Sequence, residues 1–322
     1  MITKAVFFLI AAAIQIPNNV QSFAPTTKTT TTSKTSFHPN NPIQLPQITS
    51  LLQSSSLSSS TTNNEESNGI NDDFGNVAFV LLAGGTGSRM KASKPKQFLE
   101  LKGMPILHHS LDLFLNQLPS YASSKGFNGP PIVVLVMDPM YQPEYQPIVD
   151  KYEGKLVFAN PGKERQGSVE NGLKKAVEMA GEDCTYVAVH DSARPLVTID
   201  EISQVVTDAK EYGAAVLGVP CKATIKESED GTTVLRTIPR ARLWEVHTPQ
   251  VIKVDTLLRG FQKVEEENLE VTDDVSIVEA LGEPVKLTRG EYTNLKITTP
   301  EDMDVATAIL DERKKEAVDL LA

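Results

Sequence analysis

Val77-Ala78-Phe79-Val80-Leu81-Leu82, followed by Ala83-Gly84-Gly85-Thr86-Gly87-Ser88-Arg89-Met90, is the stretch on which the fold turns. Six consecutive apolar residues have strand length and no alternation, so they predict a strand buried on both faces. The glycines that follow predict a tight turn in which backbone N–H groups can approach an anion closely. Two named loops are excluded. A Walker A loop needs a Lys after a G-x-x-x-x-G spacing, and none follows here. A dinucleotide fingerprint needs a third glycine where Met90 stands.

Working outward, the same alternation repeats. Helical spacing covers Ile106 to Leu115, Gly167 to Met179, Ile199 to Tyr212, Val254 to Glu265 and Asp273 to Leu281. Short apolar runs cover Pro131 to Met137, Lys155 to Phe158, Thr185 to Val189 and Ala214 to Val219. A last helix follows Pro300, with Thr299 as N-cap and Pro300 in the first turn. Continuous apolar strands between amphipathic helices predict an α/β fold, a Rossmann-like, mostly parallel sheet covered on both faces. Ligands of such sheets bind at the carboxyl ends of the strands. Lys222 to Thr248 breaks the alternation around the turn signal Glu229-Asp230-Gly231, and predicts a projecting hairpin arm.

The totals limit the function classes. The chain has 322 residues and a formal net charge of −10, which argues against unspecific nucleic-acid binding. Two cysteines and five histidines without metal-ligand spacing argue against a disulfide scaffold and a structural zinc site. No Asp or Glu precedes Glu65. Lys4 precedes a short apolar run, and a Ser/Thr-rich, acid-free stretch follows it. This composition predicts a signal-plus-transit leader over residues 1–74, with the folded domain at 75–322. The mature form would then have no membrane segment. The order of the two parts, with Phe23 in Gln21-Ser22-Phe23-Ala24-Pro25, resembles leaders that address proteins to plastids bounded by extra membranes, and implies the plastid stroma.

Arg89 lies two residues beyond Gly87, and Lys96 follows in Lys94-Pro95-Lys96-Gln97-Phe98. Fixed cations beside a phosphate-type loop suit phosphoryl or nucleotidyl transfer, in which negative charge spreads over the transferred group.

Further segments narrow the reading: Gly162-Lys163-Glu164-Arg165-Gln166-Gly167-Ser168-Val169, His190-Asp191-Ser192-Ala193-Arg194-Pro195, Leu243-Trp244-Glu245-Val246-His247-Thr248-Pro249-Gln250, Val271-Thr272-Asp273-Asp274 and Asn294-Leu295-Lys296-Ile297-Thr298. With the glycine loop, they resemble the 2-C-methyl-D-erythritol 4-phosphate cytidylyltransferases, a branch of the sugar-nucleotide type of nucleotidyltransferase, from about Val77 to Leu310. The resemblance implies CTP and methylerythritol phosphate as substrates, Mg²⁺ as cofactor, and a homodimer paired through the arm. It places Ala83, Gly84, Gly85 and Gly87 around CTP, and Gly162 and Ser168 at the cytidine. Asp191 and Ser192 fall near the ribose and metal, with Asp191 the candidate Mg²⁺ contact. Arg89 and Lys96 take the positions that stabilise the transition state. Thr248, Thr272 and Lys296 take those that handle the sugar phosphate, and Arg240 the one that orients it. His190 reads as a packed strand-end residue, and Arg194 as a brace for its loop. Two positions depart from the family pattern: Pro239 stands where an Asp usually precedes the arginine, and Lys163 where many relatives carry an acid. Arg242 competes with Arg240, since on an extended segment both side chains share a face. Two other readings stay open, a pentitol phosphate acceptor such as ribitol 5-phosphate, and a nucleotide-binding protein without catalysis.

Overall fold

The computed structural model describes residues 72–85, 90 and 94–319. The leader up to residue 71, Gly87 and Arg89 lie outside the described residues.

Seven strands form the main sheet: β1 (Val77–Leu82), β4 (Val133–Val136), β5 (Leu156–Ala159), β6 (Tyr186–Asp191), β7 (Ala214–Pro220), β10 (Trp244–Lys253) and β11 (Lys286–Arg289). Two small hairpins complete the strands, β2 (Glu100–Leu101) with β3 (Met104–Pro105), and β8 (Lys226–Glu227) with β9 (Arg236–Thr237). The order across the sheet is β11-β7-β10-β6-β1-β4-β5. Every neighbouring pair is parallel except those of β10, which runs antiparallel to both β6 and β7. The expected mostly parallel α/β sheet is what forms.

Side chains of β1 alternate between two cores, as the period of a strand requires. Phe79 and Leu81 join Leu107, Leu111 and Phe114 under α1 (Ile106–Asp112) and α2 (Leu118–Ser124), and Val205 and Ala209 of α5 (Ile199–Tyr212). Ala78 and Val80 face Val169, Leu173 and Ala176 of α4 (Arg165–Ala180), within the core that also takes α6 (Val254–Glu267) and α7 (Val275–Ala280). A Cβ on Gly172 would collide with the Val80 side chain, so glycine lets α4 lie close on the sheet. Helices α3 (Gln142–Lys151) and α8 (Pro300–Asp319) complete the set. Asp302 accepts hydrogen bonds from the backbone N–H groups of Thr298 and Thr299 at 2.7 and 2.8 Å, so the start of α8 is capped from inside the helix.

Three expectations are corrected. The helix read over Ile106 to Leu115 passes into a π-helical turn, Leu113–Gln117, and continues as α2. Pro119 has no N–H for the regular ladder, and a wider turn accommodates it. The leader boundary at 74 falls inside the packed body. Phe74 is fully buried, and its N–H donates to Asn128 O at 2.9 Å. Asp72 is buried and accepts from Tyr121 Oη at 3.2 Å. The arm also ends earlier than Thr248, because Trp244 onward is β10, a central strand. Cys221 N–H donates to Leu243 O at 3.0 Å and closes the base of the arm.

Candidate active site

The carboxyl ends of β1 and β6 open into a cleft of about 320 Å³. Ala83, Gly84 and Gly85, Gly162 and Ser168, Asp191 and Ser192, and the lysines Lys96 and Lys296 line it, with Lys296 against Asp191 at its floor. Nine of the expected site residues thus converge, from segments more than 200 positions apart in the chain.

Each wall has a local cause. Lys96 sits on a single 3-10 turn, Lys96–Phe98, whose Phe98 ring packs against Tyr141 and Tyr145 at centroid distances of 4.6 and 5.7 Å. Its Nζ donates to Ile297 O at 2.8 Å. Gln97, nearly fully buried, donates to Ala83 O at 2.6 Å and to Gly85 O at 3.1 Å, and so ties down the start of the glycine turn. Ser168 Oγ accepts from Gly162 N–H at 3.0 Å and donates to Glu164 O at 3.1 Å, folding the Pro161–Glu164 loop over the start of α4. Gly162 has no room for a side chain, since a Cβ would lie 2.5 Å from the Gly167 carbonyl carbon.

Lys296 rides on a segment pinned at three points. Arg194 Nη1 donates to Asn294 O at 2.7 Å, Asn294 Nδ2 to Thr248 O at 3.1 Å, and Ile297 N–H to Ala193 O at 2.8 Å. Lys296 Nζ then meets Asp191 Oδ2 at 2.5 Å. Arg165 approaches the other oxygen, with Nη2 3.5 Å from Asp191 Oδ1, and grips Asp274 with both Nη atoms. Burial works against the Asp191 charge, but Arg165, then Lys296, hold its carboxyl far below the usual carboxylate range. Burial likewise opposes the Arg165 charge, and Asp274 with Asp191 raises it above the usual arginine value. The floor is therefore a fixed carboxylate between two fixed cations.

His190 is the packed residue expected. It is fully buried, its ring lies edge-on to Phe114 at 5.2 Å, and burial lowers its pKa to about 4. Its Nε2 donates to Arg194 O at 3.1 Å, which leaves Nδ1 to accept from Thr248 Oγ1 at 3.1 Å. Arg194 braces its loop as expected, with Nη2 on Val246 O at 3.2 Å.

Four site readings change or stay apart. Thr248 is buried, and its hydroxyl is spent between His190 and the Asp191 N–H, which donates to it at 3.1 Å. It steadies the strand end beside Asp191. Thr272 is exposed before α7 and does not line the cleft. Arg240 and Arg242 lie on a 3-10 turn. At about three residues per turn, two positions apart do not share a face, so the extended-strand argument falls. Arg240 Nη1 donates to Lys222 O at 3.0 Å, at the root of the arm, and it does not line the cleft of its own chain.

Gln97 and Arg165 were not singled out from sequence, although both stand inside the quoted motifs. Each is defined by its partners in the fold, Gln97 by the carbonyls of Ala83 and Gly85 and Arg165 by Asp274, 109 positions away.

No group of three or more His, Cys, Asp or Glu able to hold a metal occurs among the described residues. Two carboxylates, Asp191 and the exposed Glu164, in a cleft otherwise lined by cations fit a Mg²⁺ that arrives on nucleotide phosphates and takes most of its ligands from them and from water. Any Mg²⁺ at Asp191 Oδ1 would share that oxygen with Arg165 Nη2, 3.5 Å away.

The fold and cleft are those of a nucleotidyltransferase. The chain belongs to the 2-C-methyl-D-erythritol 4-phosphate cytidylyltransferase family, whose model matches residues 77–312. It is 48% identical over 238 residues to the chloroplastic 2-C-methyl-D-erythritol 4-phosphate cytidylyltransferase of Oryza sativa subsp. japonica, covering 74% of this chain and 75% of that one. It is 41% identical over 242 residues to the enzyme of that name from Desulforamulus reducens, covering 74% and 97%. Among solved structures it resembles the 2-C-methyl-D-erythritol 4-phosphate cytidylyltransferase of Thermus thermophilus, with a TM-score of 0.56, 31% identity, and coverage of 71% of this chain and 97% of that one.

Proposed function

We propose that the chain transfers the cytidylyl group of CTP to 2-C-methyl-D-erythritol 4-phosphate, releasing pyrophosphate, in the supply of isoprenoid precursors. An acceptor phosphate oxygen forms the new bond to the α-phosphorus of CTP. The bond from that phosphorus to the bridging oxygen breaks, and its electron pair leaves with pyrophosphate. The acceptor phosphate has a second pKa of about 6, so it is already ionised at neutral pH and no general base is required.

The barrier is the approach of one anion to another, and this chain answers it with charge and position. The observation that carries the reading is the set of cations, Lys96, Lys163, Arg165 and Lys296, around the single floor carboxylate of Asp191. Lys96 is fixed before the nucleotide enters, so its charge needs no reorganisation during the reaction. Arg89 joins it from the glycine loop. Ala83, Gly84, Gly85 and Gly87 receive the triphosphate, and Gly162 and Ser168 the base. Asp191 and Ser192 lie at the ribose, and Thr248, Thr272, Lys296 and Arg240 serve the acceptor. Mg²⁺, when bound, neutralises the triphosphate.

The arm pairs two copies as a homodimer, and Arg240 serves the partner's site. Ile225, Val234 and Leu235 of the arm are 39%, 61% and 55% exposed, apolar surface suited to burial against a second copy. The leader addresses the protein to the plastid, a reading supported by the chloroplastic rice relative. Among the described residues no helix is long and apolar enough to cross a membrane.

The test supplies CTP, Mg²⁺ and one acceptor at a time, and follows pyrophosphate. Turnover with methylerythritol phosphate is expected. Turnover with ribitol 5-phosphate alone would overturn the acceptor assignment. CTP binding without turnover on either would make this a binding protein.

A further inference from the structure

Two carbonyl oxygens belong to residues that line a cleft read above as an anion site, those of Ala83 and Gly85. Their partial negative charge would repel a triphosphate. Both are covered by one side-chain amide, that of Gln97, at 2.6 and 3.1 Å. Both partners are acceptors, so the group between them must be the NH₂ end of the carboxamide. The trans peptide opposes each carbonyl to the N–H of the next residue. Fixing Ala83 O toward Gln97 therefore also fixes the Gly84 N–H, which points the opposite way within the same peptide plane.

The anchor is itself rigid. Gln97 is 3% exposed and lies between Lys96, held by Ile297 O, and Phe98, held in the aromatic cluster. Lys96 and Gln97 thus join the cationic side of the cleft to the glycine turn through consecutive residues.

We propose that Gln97 is a positioning residue for the nucleotide: its amide neutralises the two wall carbonyls and fixes Ala83–Gly85 for binding an anion. This rests on the reading of the cleft as the CTP site. Gln97 touches no reacting atom, so its loss weakens CTP binding more than it slows turnover at saturation, and leaves the KM for the acceptor unchanged.

Gln97→Glu has the same shape but sets a carboxylate against two carbonyl oxygens. When protonated, it regains one O–H donor. Gln97→Met removes the donors without adding charge. The measurement is CTP affinity by titration calorimetry with Mg²⁺ and no acceptor, from pH 8 to pH 5.5, for wild type and both variants. Ratios to wild type at each pH cancel the ionisation of CTP itself. Gln97→Met is expected to weaken CTP about tenfold at every pH, a loss of one to two hydrogen bonds. Gln97→Glu is expected to weaken it more at pH 8, with the ratio falling toward that of Gln97→Met, or below it, as the pH drops. A role in packing alone would not recover in this way. Should Gln97→Glu fail to fold, Gln97→Met decides by its kinetic split, a raised KM for CTP with kcat within about threefold supporting the proposal. CTP affinity equal to wild type in a folded variant overturns it, as does a Gln97→Glu deficit that ignores pH. Absence of CTP binding by the wild type overturns both this and the reading of the site.

Discussion

Replacing Arg165 by leucine tests what holds the floor of the cleft. The guanidinium reaches Asp274 with both Nη atoms, at 2.8 Å for Nη2, and stands 3.5 Å from Asp191. Asp274 is 1% exposed, and its N–H is bound by Gln250 Oε1 at 2.9 Å, so it cannot swing out to water without breaking the start of α7. Leucine strands its carboxylate. Breaking a buried pair costs about 3–5 kcal/mol. The Arg165 side chain is 34% exposed, which favours the lower end, about 3 kcal/mol. At about 2–4 °C per kcal/mol for a domain of this size, the melting midpoint should fall about 6–12 °C at pH 7. Burial already lifts the Asp274 carboxyl above its ordinary value with Arg165 in place, and without Arg165 it rises further. Such a group favours the folded state most when protonated, below its unfolded pKa of about 3.9. That contribution is lost as the pH rises through the folded value. The gap between wild type and variant should therefore narrow from pH 7 to pH 5. Asp191, whose shift is the opposite one, is present in both proteins and keeps Lys296. Arg165→Leu with Asp274→Leu removes the stranded charge and should regain most of the loss. Scanning calorimetry at both pH values decides. A single variant melting within about 2 °C of wild type, or a gap of equal size at both pH values, would refute the reasoning.

Other outcomes follow from the same structure. Arg89→Ala or Lys96→Ala should lower kcat by roughly 10²–10³, about 3–4 kcal/mol, with less effect on the acceptor KM; a raised KM with kcat intact would leave these residues only ground-state binding. Mixing an Arg240→Ala chain with a Lys96→Ala chain should restore part of the activity lost by each, because some mixed dimers contain one intact site; no recovery, with subunit exchange confirmed, would mean that Arg240 does not serve the neighbour. Deleting residues 1–71 should leave the melting temperature unchanged, whereas deletion through Phe74 should cost about 3–5 kcal/mol as for loss of a buried aromatic; equal melting of the two truncations would deny Phe74 its part in the core.

Where local chemistry is sufficient, the chain announces its own structure. Helix α5 spans Ile199–Tyr212, as its periodicity predicts, because Thr198 and Glu201 form a capping box at one end and Gly213 takes a left-handed conformation at the other. The strand-end place of Asp191 was legible because the apolar run of β6 stops there. The reversed strand β10 was not, since nothing in an apolar strand records its direction, and Trp244 to Thr248 therefore read as arm. Gln97 and Arg165 escaped notice for a related reason. A glutamine beside a lysine, or an arginine at a helix start, looks like solvated surface until the partner segments fold onto it. Arg240 and Arg242 show the converse, where an assumed extended backbone gave a shared direction that a 3-10 turn removes.

The reversal of β10 has a consequence for how such proteins can diverge. A strand running against its neighbours enters the sheet at their carboxyl ends, so whatever precedes it must emerge on the same side as the cleft. The segment that precedes it begins and ends at one hydrogen bond, Cys221 N–H to Leu243 O. Its two ends therefore meet whatever lies between them, and each doubling of such a loop costs only about 0.6 kcal/mol. Changes in the length of this appendage between its two fixed ends therefore leave the sheet beneath undisturbed, whereas a change at Arg240, near its root, would not be silent if that arginine serves an active site.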